Sequence, residues 1–323
     1  MRQFASEFGK EMISAKHIAQ VIDGGIVGDA DSEVVGMAYA EEADENSLAV
    51  AFSDRDVRRT RAAVVLTEPR IVPTKKTLIY CSFNRISSAL VKVAELFIRE
   101  GIYRNYSAQS VRHVTQYGAA IGNDVKLGVN VKIGVFASIG SGVSIGDGCR
   151  IESGVFIGDD TQLGNNVILR AGARVGANCL YHFAEGGRRR TFCGVGRTII
   201  EDAVEIGYNS VIQRGTLSNT IIGAGTVIGN MVEIAHDVKL GKGCFIASQA
   251  GLCGNVFVGD RVKIFGQAGV NNFVRIGDEA IVLAKTAVTK NVAARATVSG
   301  AHGRDHSTEL KLQARIRKAI GEE

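Results

Sequence analysis

From Ile121 onward, an aliphatic residue returns at every sixth position. Ile121, Leu127, Ile133, Ile139, Ile145, Ile151, Ile157, Leu163, Leu169 and Val175 open ten units in one unbroken register. Three more open at Ile200, Ile206 and Ile212, and twelve follow in a third register from Ile222 through Val288. A period of six fits neither the 3.6 residues of a helical turn nor the two-residue alternation of a strand. It fits a chain wound in short flat strands joined by corners, with one aliphatic per strand pointing inward. Four positions after each aliphatic lies a small or β-branched residue, such as Val125, Ala137 or Thr161, read here as the residue that lets the chain turn. Three strands close a triangular coil of eighteen residues, so the twenty-five units make about eight coils. Coils stacked about 4.8 Å apart satisfy their backbone groups by parallel pairing. The predicted fold class is mainly β: a parallel β-helix of hexapeptide repeats.

Composition agrees. Thirty-nine glycines, only two prolines (Pro69 and Pro73) and no tryptophan suit a tightly wound repetitive chain. The six cysteines form no CxxC pair, and Cys149, Cys179 and Cys244 each occupy the small-residue position of a unit, so packing accounts for them without metal or disulfide. The formal charge of +5 permits an acidic partner without demanding one. Basic residues are scattered and show no interleaving with aromatics, which argues against nucleic acid. No apolar run is long enough to span a bilayer and the first residues lack a signal-peptide core, so a soluble cytoplasmic protein is expected.

The chain divides into three parts. Residues 1–108 read as a small α/β domain. In it Ser14 caps a helix ending near Gly24, apolar runs at Val34–Tyr39, Leu48–Phe52, Ala62–Leu66 and Thr77–Cys81 form strands, and Leu90, Val91, Val93, Ala94, Phe97 and Ile98 recur with helical spacing. Residues 109–295 are the repeat domain, broken at 180–198 and again at Ser218–Ile221; such breaks are either tolerated insertions or loops that carry binding. Residues 296–323 form a C-terminal helical segment. Its apolar face (Leu312, Ile316, Ala319, Ile320) is read as capping the open end of the prism, and Lys311, Arg315, Arg317 and Lys318 are available to an acidic partner.

One repeat carries a histidine. "VEIGYNSVIQRGTLSNTIIGAGTVIGNMVEIAHDVKLG" and "CFIASQAGLCGNVFVGDRVKIFGQAGVNNFVRIGD", together with "VVGMAYAEEADENSLAVAF" in the N-terminal domain, resemble the UDP-3-O-acyl-glucosamine N-acyltransferases of lipid A biosynthesis. The resemblance implies a left-handed prism, a homotrimer with sites between subunits, and an N-terminal domain that binds the nucleotide sugar. It implies transfer of a 3-hydroxyacyl chain from acyl carrier protein to the amine of a UDP-amino sugar, with no metal and no cofactor besides the thioester donor. Residue by residue, His236 falls on the family's general base and Gly254 on the glycine whose N–H polarises the thioester carbonyl.

The residues are suited to that chemistry. An ammonium group must lose a proton before it attacks, and a neutral imidazole can receive it. His236 and Gly254 are one eighteen-residue coil apart, so base and backbone donor should stack. Other positions depart from the family. Gly229 stands where an acidic residue orients the histidine, so Gly229→Asp is expected to leave the assembly intact and raise activity if its side chain reaches the ring. Gln213-Arg214-Gly215 replaces Asp-Arg-Gly, Phe273 replaces a second histidine, and Val50 and Ser53-Asp54-Arg55-Asp56 stand at the uracil-binding positions. What orients His236, and which sugar and nucleotide are bound, therefore stay open. Two alternatives remain: a coenzyme A-dependent N-acyltransferase on another nucleotide-linked amino sugar, and a non-catalytic trimeric scaffold.

Overall fold

The computed structural model describes residues 12–68, 75–81, 86–102, 113–114, 118–185, 188–192, 194–300 and 305–321. The N-terminal domain is built from β1 (Ile13–Ser14), α1 (Ala15–Ile22), β2 (Gly25–Val27), β3 (Glu33–Val34), β4 (Gly36–Tyr39), β5 (Ser47–Val50), α2 (Asp54–Arg59), β6 (Val64–Thr67), β7 (Thr77–Tyr80) and α3 (Ile86–Arg99). Ser14 caps α1 as expected, its hydroxyl accepting from His17 N at 3.3 Å. Five strands form one sheet in the order β2-β7-β6-β5-β4, antiparallel only between β2 and β7. Strand alternation then sorts the side chains. Leu48, Val50, Val64, Leu66 and Ile79 pack under α1 and α3, whereas Ala49, Ala51, Val65 and Leu78 face the other way, against Val57 of α2.

The short helix α2 was not anticipated. Its six residues, DRDVRR, bury only Val57, so no apolar period announces it. Capping holds it instead: Ser53 accepts from Asp56 N, acidic residues occupy the first turn, and Arg58 and Arg59 occupy the last.

The repeats form a prism with three parallel sheets of eight, nine and ten strands, the largest closed at one end by the antiparallel strand His113–Val114. Most strands are two residues long and pair with the strand eighteen residues on, as Lys126–Leu127 does with Ser144–Ile145. Both breaks preserve the stacking: Leu163 pairs with Ile200 and Ile206 with Ile228. Inward aliphatics such as Ile157, Ile206 and Ile246 are fully buried. Among the described residues, no helix is long and apolar enough to cross a membrane.

The corners differ from the expectation in one respect. The residue that turns the chain stands three positions after the aliphatic, not four. Asp124, Asn130, Asp160, Asn166, Asn209, Asp237 and Asn255 all have φ between 54° and 61° there, and Gly142, Gly148 and Gly154 lie at the same place. Asn, Asp and Gly tolerate this left-handed conformation best. The residue one further on (Ala137, Val143, Val155 or Thr161) points inward and fills the corner of the core. Cys149, Cys179 and Cys244 sit buried in that position, with thiols donating to Gly164 O, Phe192 O and Gly259 O at 3.0–3.1 Å. Cys193 lies outside the described residues.

The long break is a β-hairpin, Tyr181–Glu185 paired antiparallel with Arg188–Phe192. Phe192 and Val195, with Leu217 near the short break, are buried in the same cluster as α1 and α3. The insertion thus fastens the N-terminal domain to the side of the prism. The C-terminal helix α4 (His306–Ile320) is capped by Asp305 and ended by Gly321 at φ 77°. It does not close the prism as expected. Ile316 and Ile320 are 51% and 63% exposed, and Thr297–Val298 instead completes the nine-stranded sheet beside Ile281–Val282.

Because one aliphatic per strand supplies the interior, shortening one should be felt in full. Ile206→Ala is expected to cost about 2–5 kcal/mol, read as a lowered denaturation midpoint. A loss under about 1 kcal/mol would contradict the close packing described.

Candidate active site

His236 stands between Ile234, which points into the core, and Asp237, which turns the corner at φ 61°. Its strand, Glu233–Ile234, pairs with Gly251–Leu252, and Asn255 N donates to His236 O at 3.0 Å. Gly254 therefore lies one coil away, directly against the imidazole. A Cβ added to Gly254 would meet Cε1 of the ring and come within 2.7 Å of Nε2 and 2.9 Å of Nδ1. Only glycine admits the ring in this place. The N–H of Gly254 has no acceptor among the described residues and remains available to a ligand. The structure thus brings together the two residues the sequence singled out.

The residue that holds His236 is its own neighbour. Asp237 Oδ2 lies 2.8 Å from His236 Nδ1, and the Asp237 side chain is 1% exposed. Thr216 N and Ser218 N donate to Oδ1 at 3.0 and 2.9 Å, and the Thr216 hydroxyl donates to Oδ2. The Asp237 N–H in turn donates to Thr220 Oγ1 at 2.9 Å. With these donors already directed at it, the carboxyl offers the ring an acceptor. It leaves His236 Nδ1 to act as donor, so in the neutral ring the lone pair is on Nε2, over Gly254. Tyr181, at the base of the hairpin, meets the imidazole edge to face at 5.8 Å between centroids. The insertion accordingly carries one wall of the site as well as the docking of the N-terminal domain.

The short break explains why Thr216 and Ser218 converge on the carboxylate of Asp237 and Thr220 on its backbone N–H. A Cβ on Gly215 would overlap Ser218 O and lie 2.9 Å from Asp237 Oδ1, so this glycine allows the loop to close over Asp237. Arg214 is 2% exposed, its guanidinium donating to Gly196 O at 2.9 Å and Asp159 O at 3.4 Å. It ties the end of the long break to the prism. Gln213 donates to Glu233 Oε1 at 2.6 Å and accepts from Leu180 N at 3.3 Å, fixing the start of the insertion.

The role imagined for Gly229 is overturned. A Cβ there would come within 2.7 Å of Ser248 N and 3.1 Å of Ala247 C in the next coil, so an aspartate would push stacked backbones apart. Phe273 lies at the same corner one coil beyond Asn255, with φ 63° and 64% exposure, and occupies the rim of the site.

Known proteins resemble the chain in these regions. The family Bacterial transferase hexapeptide (six repeats) matches residues 124–159 and 219–254, the second stretch holding His236 and ending on Gly254. The UDP-3-O-acylglucosamine N-acyltransferase of Rhizobium meliloti (strain 1021) is 48% identical over 80 residues, 24% of this chain and 22% of that protein. The protein of the same name from Methylobacterium nodulans is 49% identical over 79 residues, with the same coverage. The match thus spans about a fifth of the length of these curated relatives. Among solved structures, the UDP-N-acetylglucosamine acyltransferase of Francisella novicida superposes with a TM-score of 0.54 at 25% identity, covering 62% of this chain and 73% of that one. The UDP-N-acetylglucosamine O-acyltransferase of Moraxella catarrhalis gives 0.51 at 27% identity, covering 63% and 83%. The resemblance read from the sequence is met by relatives that carry the same name, and the prism by solved prisms of related enzymes.

Gly254→Ala is expected to leave the prism folded and displace the imidazole. The His236 ring resonances, assigned against His236→Ala, should move well beyond those of the other five histidines. Unchanged ring resonances would show that the contact is not close.

Proposed function

We propose that the protein is an N-acyltransferase that moves an acyl chain from a thioester to the amine of a UDP-amino sugar. The observation that carries this reading is the Asp237–His236 pair, with Nδ1 tied and Nε2 placed over Gly254. The acceptor amine gives its proton to Nε2, and its nitrogen attacks the thioester carbonyl. The carbonyl oxygen takes up the electron pair and is held by the Gly254 N–H. As the tetrahedral species collapses the C–S bond breaks, and the thiolate leaves and takes the proton back from His236. The products are an amide and a free thiol. The names of the relatives supply the sugar class; the convergence of base, orienting carboxylate and backbone donor favours catalysis over an inert scaffold.

His236→Ala is expected to fold and bind acceptor while losing about 10²–10⁴-fold in turnover. Asp237→Asn should lose activity as well, since an amide no longer fixes the tautomer. Near-wild-type turnover by a folded His236→Ala protein would remove this residue from the mechanism.

Acyl carrier protein is the proposed donor, and a homotrimer the working assembly. Lys311, Arg315, Arg317 and Lys318 are exposed on α4, and its apolar face is uncovered in the single chain, as expected of a surface that neighbouring subunits close. Reversing the four charges should raise KM for the acidic carrier more at low than at high salt, because exposed charges act mainly on encounter. Equal use of acyl-coenzyme A, with no effect of reversal, would make coenzyme A the donor. Sedimentation should give a trimer, and a stable monomer at micromolar concentration would defeat an intersubunit site.

A further inference from the structure

Tyr39, at the end of β4, reaches out of the N-terminal domain to the innermost part of the prism site. Its hydroxyl oxygen is 3.0 Å from Thr216 Oγ1, across 177 positions of sequence. Thr216 has committed its proton to Asp237, so the proton between Thr216 and Tyr39 belongs to the tyrosine. The bonds therefore run one way: Tyr39 to Thr216 and Thr216 to Asp237, with His236 donating to Asp237 from the other side. Successive hydrogen bonds of one direction strengthen one another. One hydroxyl of the N-terminal domain thus reaches the loop that holds Asp237.

The neighbouring residues hold it there. Glu42 pairs with Lys239 at 3.1 Å and Glu41 with Arg275 at 2.9 Å. Lys239 Nζ also donates to Ser218 Oγ at 2.5 Å and Asn219 O at 2.6 Å, in the loop that wraps Asp237. Around the imidazole itself stand Asp237, Tyr181 of the hairpin and Gly254. Burial, then the Asp237 carboxylate, pushes the Tyr39 phenol well above its ordinary pKa, so it remains a proton donor throughout the physiological range.

We propose that Tyr39 is a positioning residue for the Asp237–His236 pair: by pinning Thr216 it fixes the carboxylate that holds the imidazole, and makes docking of the N-terminal domain a condition for a competent base. This rests on His236 being the base, but the test reads the pair without substrate. In the intact protein, the Nδ1–H proton of His236, identified by its loss in His236→Ala, is followed by NMR for chemical shift and solvent exchange. Tyr39→Phe keeps the ring and removes the hydroxyl. It is expected to quicken exchange about tenfold, the equivalent of one hydrogen bond, and to lower kcat with KM for the acceptor unchanged. Thr216→Val, which removes the hydroxyl between Tyr39 and Asp237, should quicken exchange at least as much, and serves if Tyr39→Phe does not fold. Glu41→Gln with Glu42→Gln removes the ion pairs and keeps the hydroxyl; its Nδ1–H should exchange more slowly than in Tyr39→Phe. Wild-type exchange in Tyr39→Phe overturns the proposal, as does an equal effect in the double glutamine variant, which would show loosened docking alone. Absence of acyl transfer by the wild-type protein would refute the proposed function and leave the exchange result standing.

Discussion

The structure depends on stacked coils in which residues eighteen apart share a position. Each strand contributes few hydrogen bonds of its own, and nearly all of them go to the coils above and below. The stacking is possible because one residue per unit accepts a left-handed backbone at the corner, and the next fills the interior there. Side chains reinforce it. Asp147, Asn165 and Asp202 form a ladder, each oxygen accepting from the backbone N–H of the rung before. The proposed site inherits this geometry directly. His236 and Gly254 are neighbours because the winding places them so, with no special loop between them.

A regular prism alone cannot make a base of a histidine, since its corners are open to water. The register breaks supply what is missing. One wraps a carboxylate in backbone and hydroxyl donors; the other lays a hairpin across the imidazole. The long break is anchored by the buried guanidinium of Arg214. Burying a guanidinium is unfavourable unless its donors are satisfied. Carbonyls of the break and of the prism accept from it, which fixes the end of the break against the prism.

The prism was legible in the sequence because every unit repeats the same demand. Two flanking helices were legible for the same reason: α1 and α3 bury one apolar stripe each. The position of the corner was misread by one residue, although the Asp, Asn and Gly recurring three places after the aliphatics carried the signal. Asp237 was passed over for a different reason. Its neighbour His236 drew attention to an acidic residue seven positions earlier, in the pattern of the resembling family, and the next residue looked like one more corner. What distinguishes it is the convergence of Thr216, Ser218 and Thr220, a consequence of a break whose path no periodicity describes. Tyr39 is less legible still, for its partner lies in another domain.

These contacts tie the N-terminal domain to the proposed site. It meets the prism at the two breaks, through the shared cluster of Phe192, Val195 and Leu217 and through the segment Tyr39–Glu42. Those are also the elements that surround the His236–Asp237 pair. A domain attached anywhere else along the prism would find flat, repetitive surface and could influence nothing. Attached here, its docking and the alignment of Asp237 share the same hydrogen bonds, so disturbance of one is transmitted to the other over two or three contacts. The coupling needs no moving part: it follows from placing the irregularities of a regular fold at one level, where the repeat can no longer satisfy every polar group by itself and a second domain completes the set.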